Sequence, residues 1–139
     1  MIILDTNVLS ALMRHEPDLA IVTWLDRQPR ESMWTSSVTI MEIRFGLDTM
    51  AQGRRHRTLV EAFERLIDEG IEHRVADFDQ SAAEHAATLM VARKSAGKPG
   101  DLRDTMIAGI ALARQAALAT RNVKHFDDAG VELVNPWEA

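Results

Sequence analysis

The pattern of apolar and polar positions predicts short strands that alternate with pairs of helices. The apolar run at residues 1–4 leads directly into Asp5, as expected for a buried first strand over about 1–5, and a helix is predicted over 8–13. Apolar residues at 40, 43, 47 and 50 recur at helical spacing between 38 and 50, and the segment 57–70 is strongly amphipathic. The nearly all-apolar stretch within 102–116 predicts a helix that is largely buried.

Turn and capping residues divide the rest of the chain. Pro17 is predicted at the first turn of a helix, Gly53 breaks a helix, and Gly70 and Gly97 follow helix ends. Ser81-Ala82-Ala83-Glu84 resembles a capping box at the start of another helix. These signals predict helices over 19–26 and 81–96, and strands over 32–36, 73–78, 117–120 and 131–134.

The order of these elements, β-α-α-β-α-α-β-α-α-β-β, predicts a fold of the α/β class. We expect a three-layer αβα sandwich around a central, mostly parallel sheet of about four to five strands. The fully apolar character of the first strand indicates a central position in that sheet. We expect residues 1–139 to form a single domain.

Composition narrows the class of protein. A hydrophobic fraction of 46% in 139 residues is typical of a globular domain. No apolar run approaches the roughly 18 residues of a membrane-spanning helix, and residues 1–5 lack the features of a signal peptide. The chain has no cysteine, which excludes disulfides and zinc–thiolate sites and predicts a cytoplasmic location without membrane attachment.

The charge of the chain leaves the choice of partner open. A net charge of −5 argues against a polyanionic partner, but if bound cations neutralised three acids, −5 + 3 would leave only −2. Two basic clusters, Arg54-Arg55-His56-Arg57 and Arg93-Lys94 with Lys98, are either solvated helix faces or phosphate contacts.

Three acids follow predicted strands or turns and begin helices. Asp5 ends the first strand, Glu42 lies in the first turns of the helix after the second strand, and Asp104 lies in the first turn of the buried helix. Ligands of open parallel sheets bind beyond the carboxyl ends of the strands, so these side chains are expected to converge there.

Each acid also has a purely structural interpretation. Asp5 is a favoured residue for a helix N-cap, and Thr39-Ile40-Met41-Glu42 fits a capping box. Asp101 suits an N-cap as well, with Asp104 merely favourable to the helix dipole.

Together the three acids favour a metal centre. Ionised carboxylates beside buried faces repel one another, and a hard divalent cation such as Mg²⁺ or Mn²⁺ relieves that cost. Such a centre activates a bound water and neutralises charge on a phosphate, so metal-dependent hydrolysis of phosphodiesters is the expected chemistry.

Five segments carry a resemblance to a known family. They are "ILDTNVLS" at 3–10, "SSVTIMEIRFGL" at 36–47, "DTMIAGIALA" at 104–113, "LATRNVKHF" at 118–126 and "VNPWE" at 134–138. In these segments the chain resembles the PIN-domain family, specifically the VapC-like toxins, including the FitB type, of bacterial type II toxin–antitoxin pairs. The resemblance implies an αβα sandwich and a metal-dependent endoribonuclease that uses Mg²⁺, with Mn²⁺ as a substitute.

The resemblance also implies roles for individual residues. Asp5 and Asp104 would be metal ligands, and Glu42 would be a ligand or would orient the attacking water. Supporting roles are implied for further residues: Thr6 and Asn7 beside Asp5, Thr120 as a hydrogen-bond partner near the pocket, and Arg121 in contact with phosphate or with the acids.

One position departs from the family pattern. Many members carry an aspartate where this chain has Asn122, which brings a carbonyl oxygen but no charge. A second metal ion would therefore be held more weakly. Asp101 is the nearest spare acid, ahead of Asp127 and Asp128.

The implied partners are RNA as the substrate and a VapB- or FitA-like antitoxin. A homodimer or a toxin–antitoxin hetero-oligomer is implied, with operator DNA bound only through the antitoxin. The alternative is a non-catalytic PIN-like module that acts with its antitoxin as a DNA-binding autorepressor, motivated by Asn122 and the negative charge. A small-molecule phosphohydrolase is disfavoured, because the chain lacks a glycine-rich phosphate loop or an Asp-x-Asp-x-Thr arrangement.

Overall fold

Five short parallel strands form the sheet that organises the molecule, in the order β3-β2-β1-β4-β5. The computed structural model describes residues 1–139. The first strand is central, as its apolar sequence predicts, and it pairs with β2 on one side and β4 on the other. The strands are β1 (Ile2–Leu4), β2 (Met33–Ser36), β3 (Val75–Ala76), β4 (Ala117–Ala119) and β5 (Leu133–Val134).

Six helices cover the two faces of this sheet, which confirms the predicted αβα sandwich. They are α1 (Thr6–Leu12), α2 (Leu19–Asp26), α3 (Ser37–Thr49), α4 (Arg54–Arg65), α5 (Gln80–Ser95) and α6 (Leu102–Arg114). Alternate residues of the strands point to opposite faces, so Ile3 and Leu118 pack with α5 and α6, while Leu4 and Ala119 pack mainly with α1 to α4. None of the six helices combines the length and apolarity that crossing a bilayer requires.

Helix α6 is held close to α5 by a small residue. Gly109 faces α5, where an added Cβ would lie 2.5 Å from the carbonyl oxygen of Ala82. This close approach buries most of α6, including Ile107 and Ile110 at 0% exposure. The buried helix gives Asp104, in its first turn, a fixed position.

The caps of several helices differ from the prediction. Pro17 precedes the N-cap Asp18 rather than lying in the first turn, and Asp79, not Ser81, caps α5. Gly53 is the N-cap of α4 rather than only a break before it. An Asp side chain reaches the N–H groups of the first turn readily, so each Asp serves as the cap in preference to its neighbour.

The helix predicted over 57–70 starts too late and is not α-helical throughout. It begins earlier, at Arg54, and its α-helical part ends at Arg65. Leu66–Gly70 continues as one wider turn, which the N–H of Ile71 closes onto the carbonyl of Leu66.

The strand order reverses between β1 and β4, because the chain runs outward from β1 to β3 and then crosses to β4. Such a reversal opens a crevice at the carboxyl ends of the two strands. Asp5 immediately follows β1, and Thr120 immediately follows β4. The fold therefore places both residues at the edge where a ligand is expected.

Candidate active site

Asp5, at the end of β1, is hydrogen-bonded to Thr120 at the end of β4, inside this crevice. Its carboxylate is 3% exposed, and Oδ1 accepts a hydrogen bond from the Thr6 N–H at 2.8 Å. Oδ2 accepts from the Thr120 hydroxyl at 2.8 Å and from the Asn7 amide at 3.1 Å. No cation lies within ion-pair distance, and burial raises the pKa of Asp5 despite the opposing hydrogen bond from Thr120. Asp5 caps α1, as one interpretation held, and it also carries an uncompensated buried carboxylate.

Thr120 is the centre of a small hydrogen-bond network behind Asp5. Its hydroxyl is fully buried and accepts from the Asn122 N–H at 3.0 Å and from the Asn7 amide at 3.3 Å. The side-chain carbonyl of Asn7 in turn accepts from the Arg121 N–H at 3.0 Å. The first turn of α1 and the segment after β4 are therefore fixed to each other through polar contacts.

Glu42 lies on α3 and faces the same crevice. Its Oε1 accepts a hydrogen bond from the Thr6 hydroxyl at 2.9 Å, and Oε2 lies 3.6 Å from the Arg103 guanidinium. The capping-box interpretation of Glu42 is wrong, because the N-cap is Ser36, whose hydroxyl accepts from the Thr39 N–H. Glu42 is consequently more than a turn inside the helix, with its side chain directed at Thr6.

Asp104 lies in the first turn of α6. Its Oδ2 is 3.0 Å from Nδ1 of His125, and Asp101 is the N-cap of the helix, as predicted. Burial raises the pKa of Asp104, with a further contribution from the charge of Asp101 and a smaller one from Glu42, while His125 opposes the rise. Asp104 thus lies close enough to Asp101 and Glu42 for their charges to disfavour its ionisation.

We call Asp5, Glu42 and Asp104 the acid edge. The charge of Asp104 raises the pKa of Asp5, and the charge of Glu42 raises the pKa of Asp104, so the three carboxylates influence one another. No three acid or histidine side chains lie close enough together to surround a metal ion directly. The donors nevertheless suit Mg²⁺, which prefers oxygen and is usually held by one or two carboxylates, water and substrate phosphates. A cation would also offset the buried charge of Asp5.

The other predicted residues lie around this edge in different roles. The Arg121 guanidinium lies over the ring of Trp137, 4.8 Å from its centroid, and not against the acids. Asn122 is exposed, and its N–H contacts Thr120. The exposed Asp101 binds the N–H groups of Arg103 and Asp104, and the bond from Asp104 is the main cause of its lowered pKa.

Asp127 and Asp128 line a polar cavity of about 490 Å³ that also contains Asp101, Asp104 and His125. Asp128 is not a spare acid, because Arg93 binds both of its oxygens, at 2.9 and 3.0 Å. The lining of the cavity contains no hydrophobic residue, so it suits charged or strongly polar ligands.

Arg93 is a positioning residue that the sequence prediction missed. We expected it in an exposed basic cluster, but its side chain is 3% exposed. Besides Asp128, it donates to the His125 carbonyl and to the Thr105 hydroxyl, both at 2.8 Å. These bonds hold the His125 segment against α6, beside Asp104. A signal was present, because position 93 continues the buried stripe 82, 86, 89 of α5.

His125 and Arg103 were also missed as partners of Asp104 and Glu42. The sequence shows His125 only as one of five scattered histidines, and Arg103 only as a charge in a helix start. Each contacts an acid on another element, and nothing in the local pattern indicates that pairing.

The chain is similar to known proteins over nearly its whole length. A family model described as PIN domain matches residues 2–132. A VapC ribonuclease of Sinorhizobium fredii is 39% identical over 138 residues, 99% of each chain. Toxin FitB of Neisseria gonorrhoeae is 34% identical over 137 residues, also 99% of each chain. The solved structure of FitAB bound to an IR36 DNA fragment superimposes with a TM-score of 0.88 at 34% identity, covering 99% of this chain and 96% of that one.

Proposed function

The chain belongs to the PIN-domain family, and on that basis we propose that it is the toxin of a toxin–antitoxin pair, a metal-dependent endoribonuclease. The observation that carries the proposal is the buried, unpaired carboxylate of Asp5 at the reversal of strand order, with Asp104 and Glu42 beside it. The ribonuclease and toxin relatives support it along the full length of the chain. We propose that residues 1–139 act as one PIN-like nuclease domain.

The proposed cofactor is Mg²⁺, with Mn²⁺ as a substitute. Asp5 and Asp104 would hold it, and Glu42 would complete the site or orient the attacking water. A divalent ion there supplies a water of lowered pKa and neutralises charge on the phosphate.

The residues around the acids prepare this chemistry. Thr120 and Asn7 bind one oxygen of Asp5 and Thr6 binds the other, so the carboxylate has a single orientation. The Thr6 hydroxyl binds Oε1 of Glu42 and fixes the side chain, so Oε2 would be the oxygen that holds a metal ion or orients the attacking water. Arg103, 3.6 Å from Oε2, gives this side of Glu42 a cationic neighbour.

Arg121 is proposed as a phosphate contact. Its guanidinium stacks on Trp137, and stacking leaves the in-plane N–H groups free to bind a phosphate. The exposed Asn122 would offer only its amide, so we propose that a second metal ion, if bound, is bound weakly, with Asp101 as the nearest additional acid.

The proposed partners are RNA as the substrate and a VapB- or FitA-like antitoxin. We propose a homodimer or a toxin–antitoxin hetero-oligomer that contacts operator DNA through the antitoxin. The similarity to FitB and to the DNA-bound FitAB structure supports this part of the proposal.

The test is cleavage of RNA by the purified chain with Mn²⁺ or with chelator, comparing Asp104→Asn with Asp48→Asn. Asp48 is an exposed residue of α3 with no ion pair, so its replacement removes the same charge away from the site. We expect the rate of RNA cleavage to fall in Asp104→Asn by more than the roughly 10–100-fold that is typical when a hydrogen-bond partner of a metal ligand is removed. Circular dichroism checks the fold of both variants.

Cleavage that persists in chelator would contradict the proposed mechanism. Equal cleavage by the parent and by Asp104→Asn would contradict the assignment of the site. No binding of Mn²⁺ in calorimetry, with the fold intact, would favour the non-catalytic, DNA-binding alternative.

A further inference from the structure

A second charged region lies at the opposite ends of the strands from the acid edge. Asp5 precedes α1 and Arg14 follows it, and the helix between them is about 10 Å long. A cavity of about 540 Å³ opens there between the end of α1 and the side of α4. We call it the basic groove; its charged and titratable lining residues are Arg14, His15, Arg30, Arg65 and Glu69.

The cations of the basic groove are poorly compensated. No carboxylate lies within 4.0 Å of Arg14 or Arg65, and both residues are exposed. Arg30 is paired with Glu72 at 3.0 Å and also binds the carbonyl of Glu69. Arg14 and Arg65 therefore present guanidinium groups whose hydrogen-bond donors are available to a ligand.

The first turns of α4 extend this positive surface. Residues 54, 58, 62 and 65 follow one another at helical spacing, so Arg54 lies on the same stripe as Arg65, with Arg55 beside it. The helix has 12 residues, which gives the stripe a length of about 18 Å. The Arg54-Arg55-His56-Arg57 cluster of the sequence thus begins the face of α4 that ends at Arg65 in the basic groove.

This arrangement is unexpected in a chain with a net charge of −5. The three arginines of the groove outnumber Glu69, the one carboxylate of its lining, and a bound polyanion reduces the repulsion among them. A repeating phosphate backbone fits a charged stripe of this length better than a single anion does. Guanidinium groups also match phosphate oxygens with paired hydrogen bonds.

We propose that the basic groove binds backbone phosphates of the RNA substrate at a distance from the bond that is cut. This inference rests on the proposed function, because it takes RNA to be the substrate. Without a bound metal ion, the carboxylates of the acid edge repel RNA. The groove supplies attraction that does not depend on metal, and the acid edge then engages the strand only when its charge is neutralised.

Binding of a fluorescein-labelled stem-loop RNA in chelator, followed by anisotropy against salt concentration, tests the proposal. The variant is Arg14→Gln with Arg65→Gln, and the control is Arg27→Gln with Lys94→Gln. Both change the net charge from −5 to −5 − 2 = −7. Arg27 and Lys94 are exposed and outside the groove.

We expect the groove variant to bind roughly 25- to 60-fold more weakly at about 0.1 M salt, and its salt dependence to lose a slope of roughly 1.4–1.8, as expected for two phosphate contacts. The control keeps the parental slope. Arg54→Gln with Arg55→Gln, in the exposed first turn of α4, provides a second variant with the same expected direction.

Parental affinity and slope in both groove variants would overturn the proposal. Loss of binding to poly-L-glutamate with RNA binding unchanged would also overturn it, and would assign the groove to an acidic polypeptide. Failure of the proposed function is seen separately: the parent would then bind RNA through the groove in chelator but would not cleave it with Mn²⁺.

Discussion

The acid edge and the basic groove lie at opposite ends of the same sheet and differ in how their charges are held. Asp5 is buried and accepts three hydrogen bonds, from residues on α1 and after β4. Arg14 and Arg65 of the groove are exposed and have no ionic partner. The difference indicates that the acid edge requires fixed geometry, as catalysis does, whereas the groove requires only charge, as attraction at a distance does.

The same difference decides where stability depends on individual residues. A buried polar group that loses its partner costs free energy, while an exposed charge remains solvated when its neighbour is replaced. Substitutions at the acid edge should therefore change the free energy of unfolding in either direction. Substitutions in the groove should change binding alone.

The largest effect on stability is expected for Thr120→Val, which keeps the shape of the side chain but removes the hydroxyl. Asp5 then loses a donor, and the Asn122 N–H and the Asn7 amide lose an acceptor. We expect a loss of about 2–3 kcal/mol in urea unfolding, because the hydroxyl is fully buried and bonds a charged group. Cleavage should fall roughly 10–100-fold, as for the partners of metal ligands.

Thr120→Ser is the control, since it retains the hydroxyl and should keep most of the activity. If Thr120→Val is as stable as the parent, the hydrogen bonds of Thr120 do not fix the orientation of Asp5. The proposed difference between the acid edge and the basic groove would then be contradicted.

The sequence predicted the elements and the three acids of this edge, because both depend on local pattern. Apolar periodicity together with turn and capping residues identified the six helices, and the fully apolar first strand indicated its central position. Asp5, Glu42 and Asp104 each follow a strand or turn. The local pattern could not predict the partners that orient the acids; only the family resemblance implied Thr6 and Asn7 beside Asp5 and Thr120 near the pocket. Thr6 meets Glu42 across 36 residues and Thr120 meets Asp5 across 115, so each pairing depends on the completed fold.

Arg93 and Glu42 show why local rules misassigned some charges. A basic triplet suggested an exposed face, yet Arg93 is buried because Asp128, His125 and Thr105 satisfy its guanidinium. The Thr39–Glu42 spacing fits a capping box, but Ser36 caps the helix one turn earlier. In both cases a contact outside the local segment, or a competing cap, determines the outcome.

A smaller effect of opposite sign is expected for Asp104→Asn in chelator. Burial and the charge of Asp101 raise the pKa of Asp104 in the folded protein, so its ionised form is less favourable there than in the unfolded chain. Below the unfolded pKa of about 3.9 this penalty is absent, and it grows as pH rises through the folded pKa. The variant should therefore be more stable than the parent at neutral pH and similar to it in acid.

Urea unfolding of both proteins across pH measures this difference, with Asp48→Asn as a control that should show none of it. A variant that is less stable than the parent at neutral pH would mean that the bond to His125 outweighs burial and repulsion at Asp104.

The smallest effect on stability is expected in the basic groove, for Arg14→Gln with Arg65→Gln. Arg14 follows the end of α1, where a cation stabilises the helix dipole by about 0.3–1 kcal/mol. Removing two uncompensated charges also relieves their repulsion, so the two terms largely cancel and the free energy of unfolding should change by less than about 0.5 kcal/mol. Raising the salt concentration should reduce even that difference, because the side chains are exposed. A loss above about 1.5 kcal/mol in urea unfolding would show that these arginines hold the fold together, and the groove would then be a structural feature like Arg93 rather than a surface kept free for a polyanion.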